Sequence, residues 1–465
     1  MSTGRNRQLI WLGILAVVIQ SAILFCAIPK LTSRLHSSYN QDLLADGYDQ
    51  LAANLAAGNG YRFYPETART LMREPGYPIL LSGLLLTFGG SFVAVKLTNL
   101  ILALITAWLT LRITARLSPD TRSRDTLLFL APPLLFLFHP GTLIAESRGG
   151  VEITFAFLIV LVLLSIYKAI ESNRWRDYAI SGFLLGVTVS VRSTPMLFPL
   201  FLCAYLLLFE KRASRIAICK NISVMIMAML AVLSPWIIRN YKLTGKFVPT
   251  SSVLGVSAQA GQYIGKHLFE GKPFWLLDRE AAHERDRLAT QMGYQFEDGE
   301  KGYYQTFYKS EDEIKFSSYL LNGVIDEYRR SPVLLIRCLG QNILNFWFAG
   351  KTWMATAVNA LVQLPYLAFA FVGVVVGFRN RESRVIGPLV LFIGYIMAVH
   401  LPILSQARYS IPLIPFLSIL GSIGLVEVQK RLLQKRIISE SDPVENVRDG
   451  FTSIGEAVGS RLESR

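Results

Sequence analysis

The chain has 465 residues, 52% hydrophobic and only 17% charged, with a formal net charge of +14. A charged fraction below the roughly 25% of globular domains argues against a soluble enzyme, and the apolar residues gather in runs long enough to cross a bilayer. The Lys and Arg residues fall mostly in short segments between those runs, so they read as topology signals rather than as a nucleic-acid surface.

The first apolar run, residues 9–28, follows the basic stretch MSTGRNRQ and resembles a secretory h-region. It exceeds the ~7–15 apolar residues of such a region and no A-x-A-like cleavage site follows, so it reads as a retained first span. Next comes QDLLADGYDQLAANLAAGNGYRFYPETARTLMREPGYPILL, which no membrane anchor needs. Asp42, Asp46 and Asp49 lead into a helical pattern that stops at Gly58 and Gly60. Asp46 at that helix start is favoured by the dipole, and a plain N-cap is the bland alternative. Arg73 and Glu74 stand just before the proline that opens residues 76–90, an apolar segment too short for an easy crossing. A carboxylate there suits general-base work or ligand binding; a surface ion pair is the alternative.

Further spans are predicted at residues 92–113, 126–144, 153–170, 178–191, 195–209, 222–238, 354–378, 385–404 and 411–428. Cations gather in the N-terminus and in residues 112–124, 168–176, 211–220, 379–384 and 430–436. Placing all of these inside gives about ten spans with both termini cytoplasmic. Counting residues 76–90 as a span would move 112–124 outside, so 76–90 is predicted to lie flat at the interface. The outer side then holds residues 29–75, 139–152, 192–194, 239–353 and 405–410. The long fourth segment reads as helices with turns, and SPVLLIRCLGQNILNFWF as another interfacial helix.

The outer face gathers Glu146, Arg148, Glu152, Arg192, Arg239, Lys242, Arg408 and Tyr409. Snorkelling accounts for many charges at span ends. The positive-inside rule, however, depletes arginine from the outer side, where Arg73, Arg192, Arg239 and Arg408 all fall. Arginine forks suit phosphate, so carboxylates and arginines at one membrane face fit a phosphorylated lipid substrate. The four cysteines, Cys26, Cys203, Cys219 and Cys338, lack metal or redox spacing, and no pair among His36, His139, His267, His283 and His400 has ligand spacing. No phosphate-cradling glycine fingerprint occurs, which disfavours a nucleotide-sugar donor.

The pieces DGYDQLAANLAAGNGYRF, REPGYPILLSGLL, GVEITFAFLIVL, GFLLGVTVSVRSTPML, PWIIRNYKLTGKFVPTSSVLGVSAQAGQ and ARYSIPLIPFLSILGSIGL run in the order of one family. The chain resembles the polytopic GT-C glycosyltransferases that use polyprenyl-phosphate sugars, such as protein O-mannosyltransferases and lipid A aminoarabinose transferases. The resemblance implies an all-α polytopic membrane protein, a GT-C-like bundle with interfacial helices at 48–57 and 76–90 of the first external loop. It implies a transmembrane module at 1–240 carrying the catalytic loop, an external region at 241–353, C-terminal transmembrane helices at 354–436 and a cytoplasmic tail at 437–465. It implies Asp46 as the catalytic acidic residue, beside Tyr48. REP stands where relatives have a Lys-Pro-Pro-like motif, so Arg73 or Glu74 takes the basic residue's role. Glu152 matches an acidic position; Arg192, Arg239 and Arg408, with Tyr409, match positions near the lipid phosphate. The implied reaction is inverting transfer of a sugar from a polyprenyl-monophosphate donor to a lipid, glycan or protein hydroxyl at the periplasmic face of a bacterial inner membrane. No cofactor is certain from the sequence; a divalent metal on the outer carboxylates stays open, without a His-rich ligand set. Three alternatives stand: a secondary transporter, a lipid-diphosphate-linked glycan ligase or polymerase, and a non-catalytic scaffold.

Overall fold

The computed structural model describes residues 13–30, 46–117, 126–267, 270–298, 305–379 and 383–434. The basic N-terminus, His36, Asp42 and the polar tail from 437 lie outside the described residues, so the expected cytoplasmic termini are not addressed by them.

The apolar runs form α1 (Gly13–Lys30), α4 (Phe92–Leu117), α7 (Val151–Ser172), α10 (Arg215–Thr244), α15 (Trp353–Arg379) and α17 (Ala407–Gln434). These six are long and apolar enough to cross a membrane. Between them lie α5 (Thr126–Leu137), α6 (Pro140–Arg148), α8 (Trp175–Val191), α9 (Phe198–Phe209) and α16 (Ser383–His400). The chain is an all-α, multi-pass membrane protein.

Close helix approach rests on small residues, because lipid supplies no hydrophobic drive between spans. α8 packs on α10 through Gly182 and Gly186; a Cβ at Gly182 would sit 2.1 Å from the Met225 carbonyl oxygen. Gly373 of α15 and Gly424 of α17 make the same kind of approach to the Leu420 and Phe369 carbonyls. The expected span at 126–144 is not one helix. α5 ends at Leu137, and His139 caps α6 by accepting from the Gly141 N–H at 3.1 Å, with Pro140 in the first helical position. Apolarity continues across HPG and hides the break; a proline at the first helical position marks a new start.

The segment after α1 gives α2 (Tyr48–Ala56) and α3 (Gly76–Phe88). α3 has 13 residues, short of the ~20 needed to cross. The region after α10 forms α11 (Val253–Lys266), α12 (Phe274–Gln291), an antiparallel hairpin of β1 (Phe296–Asp298) and β2 (Gln305–Phe307), α13 (Ser310–Arg330) and α14 (Pro332–Phe348). Helices with turns were expected there; the hairpin corrects that, with Phe296 opposite Phe307. Leu51, Tyr61, Phe63 and Met72 of the first loop share one apolar core with Val256, Phe307, Phe316 and Leu320 of this later region. The two segments therefore fold as one layer, beside a separate core made by the spans.

Candidate active site

Asp46 lies in the turn before α2, and Gly47 after it takes φ 73°, a left-handed bend that glycine adopts without strain. Arg408 comes from the 3₁₀ turn Ala407–Tyr409 that opens α17, 362 positions later. Its fork grips Asp46 with both arms: Nη1 to Oδ2 at 2.9 Å and Nη2 to Oδ1 at 3.1 Å. Arg73 adds a second cation, its Nη2 3.9 Å from Oδ1 and its Nε donating to the Asp46 carbonyl at 3.2 Å. Burial alone would raise the Asp46 carboxyl, but Arg408, Arg73 and the more distant Arg192 together hold it well below the usual carboxylate range.

Aromatic rings hold these cations. Arg192 lies 4.5 Å over the Tyr409 ring and Arg408 5.3 Å from the same ring, while Arg73 lies 5.8 Å over Tyr48. Tyr48 meets Tyr77 edge-on at 5.3 Å, and the Tyr77 hydroxyl donates to the Gly149 carbonyl. Burial pushes the Tyr48 phenol upward, so it stays a neutral donor. Glu152, buried in the first turn of α7, feels the charge of Arg408.

Two predicted site residues stand a layer behind. Glu74 is buried, and its Oε1 accepts from the Ser193 N–H at 3.2 Å and the Ser251 hydroxyl at 3.0 Å. It ties the first loop to two other segments. Arg239 donates to the Thr70 carbonyl at 2.9 Å and to Asn240 Oδ1 at 2.8 Å, and lies 4.2 Å over Trp236. Sequence reasoning passed over Glu313, the buried clasp of this layer. It accepts from the Thr70 hydroxyl at 2.8 Å, from the Leu71 N–H at 2.9 Å and from the Ser252 hydroxyl. Burial raises its carboxyl despite those donors. The signal was present as Glu313 in the first turn of α13, but Glu311 and Asp312 beside it made the group look like dipole complement alone.

Asp46, Arg73, Arg408 and Tyr409 line a cavity of about 120 Å³ together with residues of α11 and α12 and with Lys351. Its lining holds the cations Arg73, Arg285, Lys351 and Arg408 against the carboxylates Asp46 and Asp278, an excess of two positive charges. That balance suits a phosphate monoester dianion. A larger hollow of about 330 Å³ beside Trp108, Arg112 and Leu164 lies away from these groups and has no carboxylate. Among the described residues no cluster of three His, Cys, Asp or Glu could hold a metal.

Residues 73–238 match the model of the dolichyl-phosphate-mannose-protein mannosyltransferase family. Among solved structures, the chain is similar to the oligosaccharyltransferase AglB from Archaeoglobus fulgidus, in complex with an inhibitory peptide and a dolichol-phosphate. The TM-score is 0.53 at 12% identity, over 95% of this chain and 52% of AglB. The chain has the GT-C glycosyltransferase fold. It spans about half the length of AglB. A second structure, ArnT from Cupriavidus metallidurans bound to undecaprenyl phosphate, aligns at 13% identity over 91% of this chain and 78% of ArnT, with a TM-score of 0.35. No curated protein matches in sequence.

Proposed function

We propose that this GT-C protein is an inverting membrane glycosyltransferase. It takes a sugar from a polyprenyl-monophosphate donor and gives it to an acceptor hydroxyl on the outer, periplasmic face. The carrying observation is the carboxylate of Asp46 gripped by Arg408 and flanked by Arg73, in a cavity with two positive charges in excess.

At rest, the guanidiniums make Asp46 a weak base. An arriving lipid phosphate competes for Arg73 and Arg408, because phosphate accepts the same paired N–H bonds. As they turn to phosphate, Asp46 loses its partners and its basicity rises. The acceptor oxygen then attacks the anomeric carbon opposite the phosphate, and its proton passes to Asp46. The bond from the anomeric carbon to the phosphate oxygen breaks, and the pair stays with the lipid monophosphate. Arg408, Arg73 and Arg192 stabilise that developing charge. Tyr48 and Tyr409 hold the arginines, and Glu152 balances Arg408. In this reading Glu74 and Arg239 position the first loop, and residues 1–240 and 354–436 form the membrane scaffold around an external region at 241–353.

Membranes containing the protein, assayed with several polyprenyl-phosphate sugars, test the proposal. Asp46→Asn is expected to lower turnover by about 10²–10⁴-fold with expression retained. Full activity in Asp46→Asn would remove Asp46 as the base. Sugar-independent substrate flux in vesicles would replace the enzyme with a transporter.

A further inference from the structure

The part of the cavity lining built on α12 belongs to the external region; Asp278 and Arg285 enter the charge balance above, and the aromatic rings beside them have no part in it. Phe274, Trp275, Asp278 and Arg285 all line the cavity from α12. They fall at helical spacing, 275 to 278 and 278 to 285, so one face of the helix carries them all. Two backbone bonds tie this face to the turn that carries Arg408. The Trp275 N–H donates to the Lys351 carbonyl at 3.2 Å, and the Ala407 N–H donates to the nearby Ala349 carbonyl at 3.1 Å. Residues 349–351 therefore hold α12 and the Arg408 turn in register.

The residue types on this face are those that bind a hydroxylated ring. Trp275 keeps 40% of its surface exposed, whereas Tyr61, Phe307 and Phe316 in the neighbouring core keep 5%, 3% and 1%. An indole presented to a polar cavity offers a flat platform for the C–H face of a sugar. Asp278 lies one turn away; burial raises its carboxyl, and Arg285, Arg408 and Lys351, which share the cavity, act against that rise. A carboxylate accepts from two vicinal hydroxyls at once. Arg285 is 2% exposed and donates to Gln259 Oε1 at 2.8 Å, which makes the base of the wall rigid. Apolar and aromatic lining with a few convergent polar groups is the usual make-up of a small-ligand site.

We propose that this face of α12 is a saccharide-binding wall, with the sugar ring stacked on Trp275 and its hydroxyls held by Asp278. The inference deepens the donor reading above and rests on it. The ring is either the one on the donor phosphate or one on the acceptor, and both present the same chemistry.

The test uses the full-length protein in lipid nanodiscs and three probes. These are bare polyprenyl monophosphate, polyprenyl-phosphate sugars, and a panel of methyl hexosides, pentosides and N-acetylhexosaminides. Trp275→Ala is expected to weaken sugar-bearing probes by about tenfold or more while affinity for bare polyprenyl monophosphate stays within twofold. Asp278→Asn is expected to weaken them by about the same factor relative to bare polyprenyl monophosphate, whose own binding the lost negative charge tightens. Trp275→Phe keeps a ring and should recover most of the loss. Loss with the lipid-linked sugar assigns the donor ring; loss only with the glycosides assigns an acceptor ring, and either supports the wall. Variants that bind all sugar-bearing probes like wild type, an equal loss for bare lipid phosphate, or a wild type that binds no sugar, overturn it. Failure of bare polyprenyl monophosphate to bind wild type counts against the donor reading, and the glycoside arm then decides the wall by itself.

Discussion

Asp46→Asn separates binding from chemistry. In the resting protein the carboxylate competes with the lipid phosphate for Arg408, so removing its charge should free the arginine. The pair bonds through both arms at 2.9 and 3.1 Å, with the Asp46 and Arg408 side chains 23% and 36% exposed. Two unit charges about 4 Å apart at an effective dielectric of 20 interact by about 4 kcal/mol. Partial exposure and the hydrogen bonds an asparagine still offers reduce the competing part to about 1–2 kcal/mol. Polyprenyl monophosphate should therefore bind Asp46→Asn about 5- to 30-fold more tightly than wild type, while turnover falls about 10²–10⁴-fold. Titration in nanodiscs measures the first and single-turnover sugar transfer the second. Weaker or unchanged lipid-phosphate binding in Asp46→Asn would refute the competition, because nothing else in the cavity would offset a lost carboxylate.

Arg408→Lys keeps the charge but loses the fork, and should lower kcat/KM about 10- to 100-fold with the protein still folded; activity within twofold of wild type would remove the bidentate role. Glu313→Ala leaves the Thr70, Leu71 and Ser252 donors buried without their acceptor, and should cost about 2–4 kcal/mol; a thermal midpoint equal to wild type would show that the clasp is dispensable. Asp46 is ionised more readily folded than unfolded, so its pairing supports the fold fully above the unfolded carboxyl value of about 3.9 and is lost as pH falls toward the folded one. The stability gap between wild type and Asp46→Asn should accordingly be constant from pH 7 to 5 and shrink below pH about 4, as followed by thermal unfolding. Gly182→Leu drives a side chain into the Met225 carbonyl of α10 and should abolish the folded state in detergent extracts; recovery of wild-type yield would mean that α8 and α10 can separate.

The long spans and the short helices α2 and α3 were legible because hydropathy and helix stop signals act on local sequence. The break at His139 was not, since PPLLFLFHPGTLIAES stays apolar on both sides of it. The pairing of Asp46 with Arg408 was visible only as two residues singled out for separate reasons; nothing local encodes a contact 362 positions long. Glu74 and Arg239 looked alike with the cavity residues, because a charge at a span end reads the same whether it faces a ligand or a neighbouring loop. The wall on α12 was hidden for the opposite reason. FWLLDREAAHERDR reads as a solvated helix, and only the fold turns Trp275 and Asp278 inward.

The core shared by Leu51, Tyr61 and Phe63 with Val256, Phe307 and Phe316 bears on how the protein is made. The segment carrying Asp46 leaves the ribosome before the apolar partners Val256, Phe307 and Phe316, and its guanidinium follows 362 positions after it. Until then the Leu51, Tyr61 and Phe63 side of the segment lacks its cover, although Tyr48 and Ala52 already meet the core of the spans. Closing so long a loop adds little entropy beyond a short one, so the delay is set by synthesis rather than by thermodynamics. A nascent chain stopped before Arg408 would insert its first spans and still hold an unfinished site.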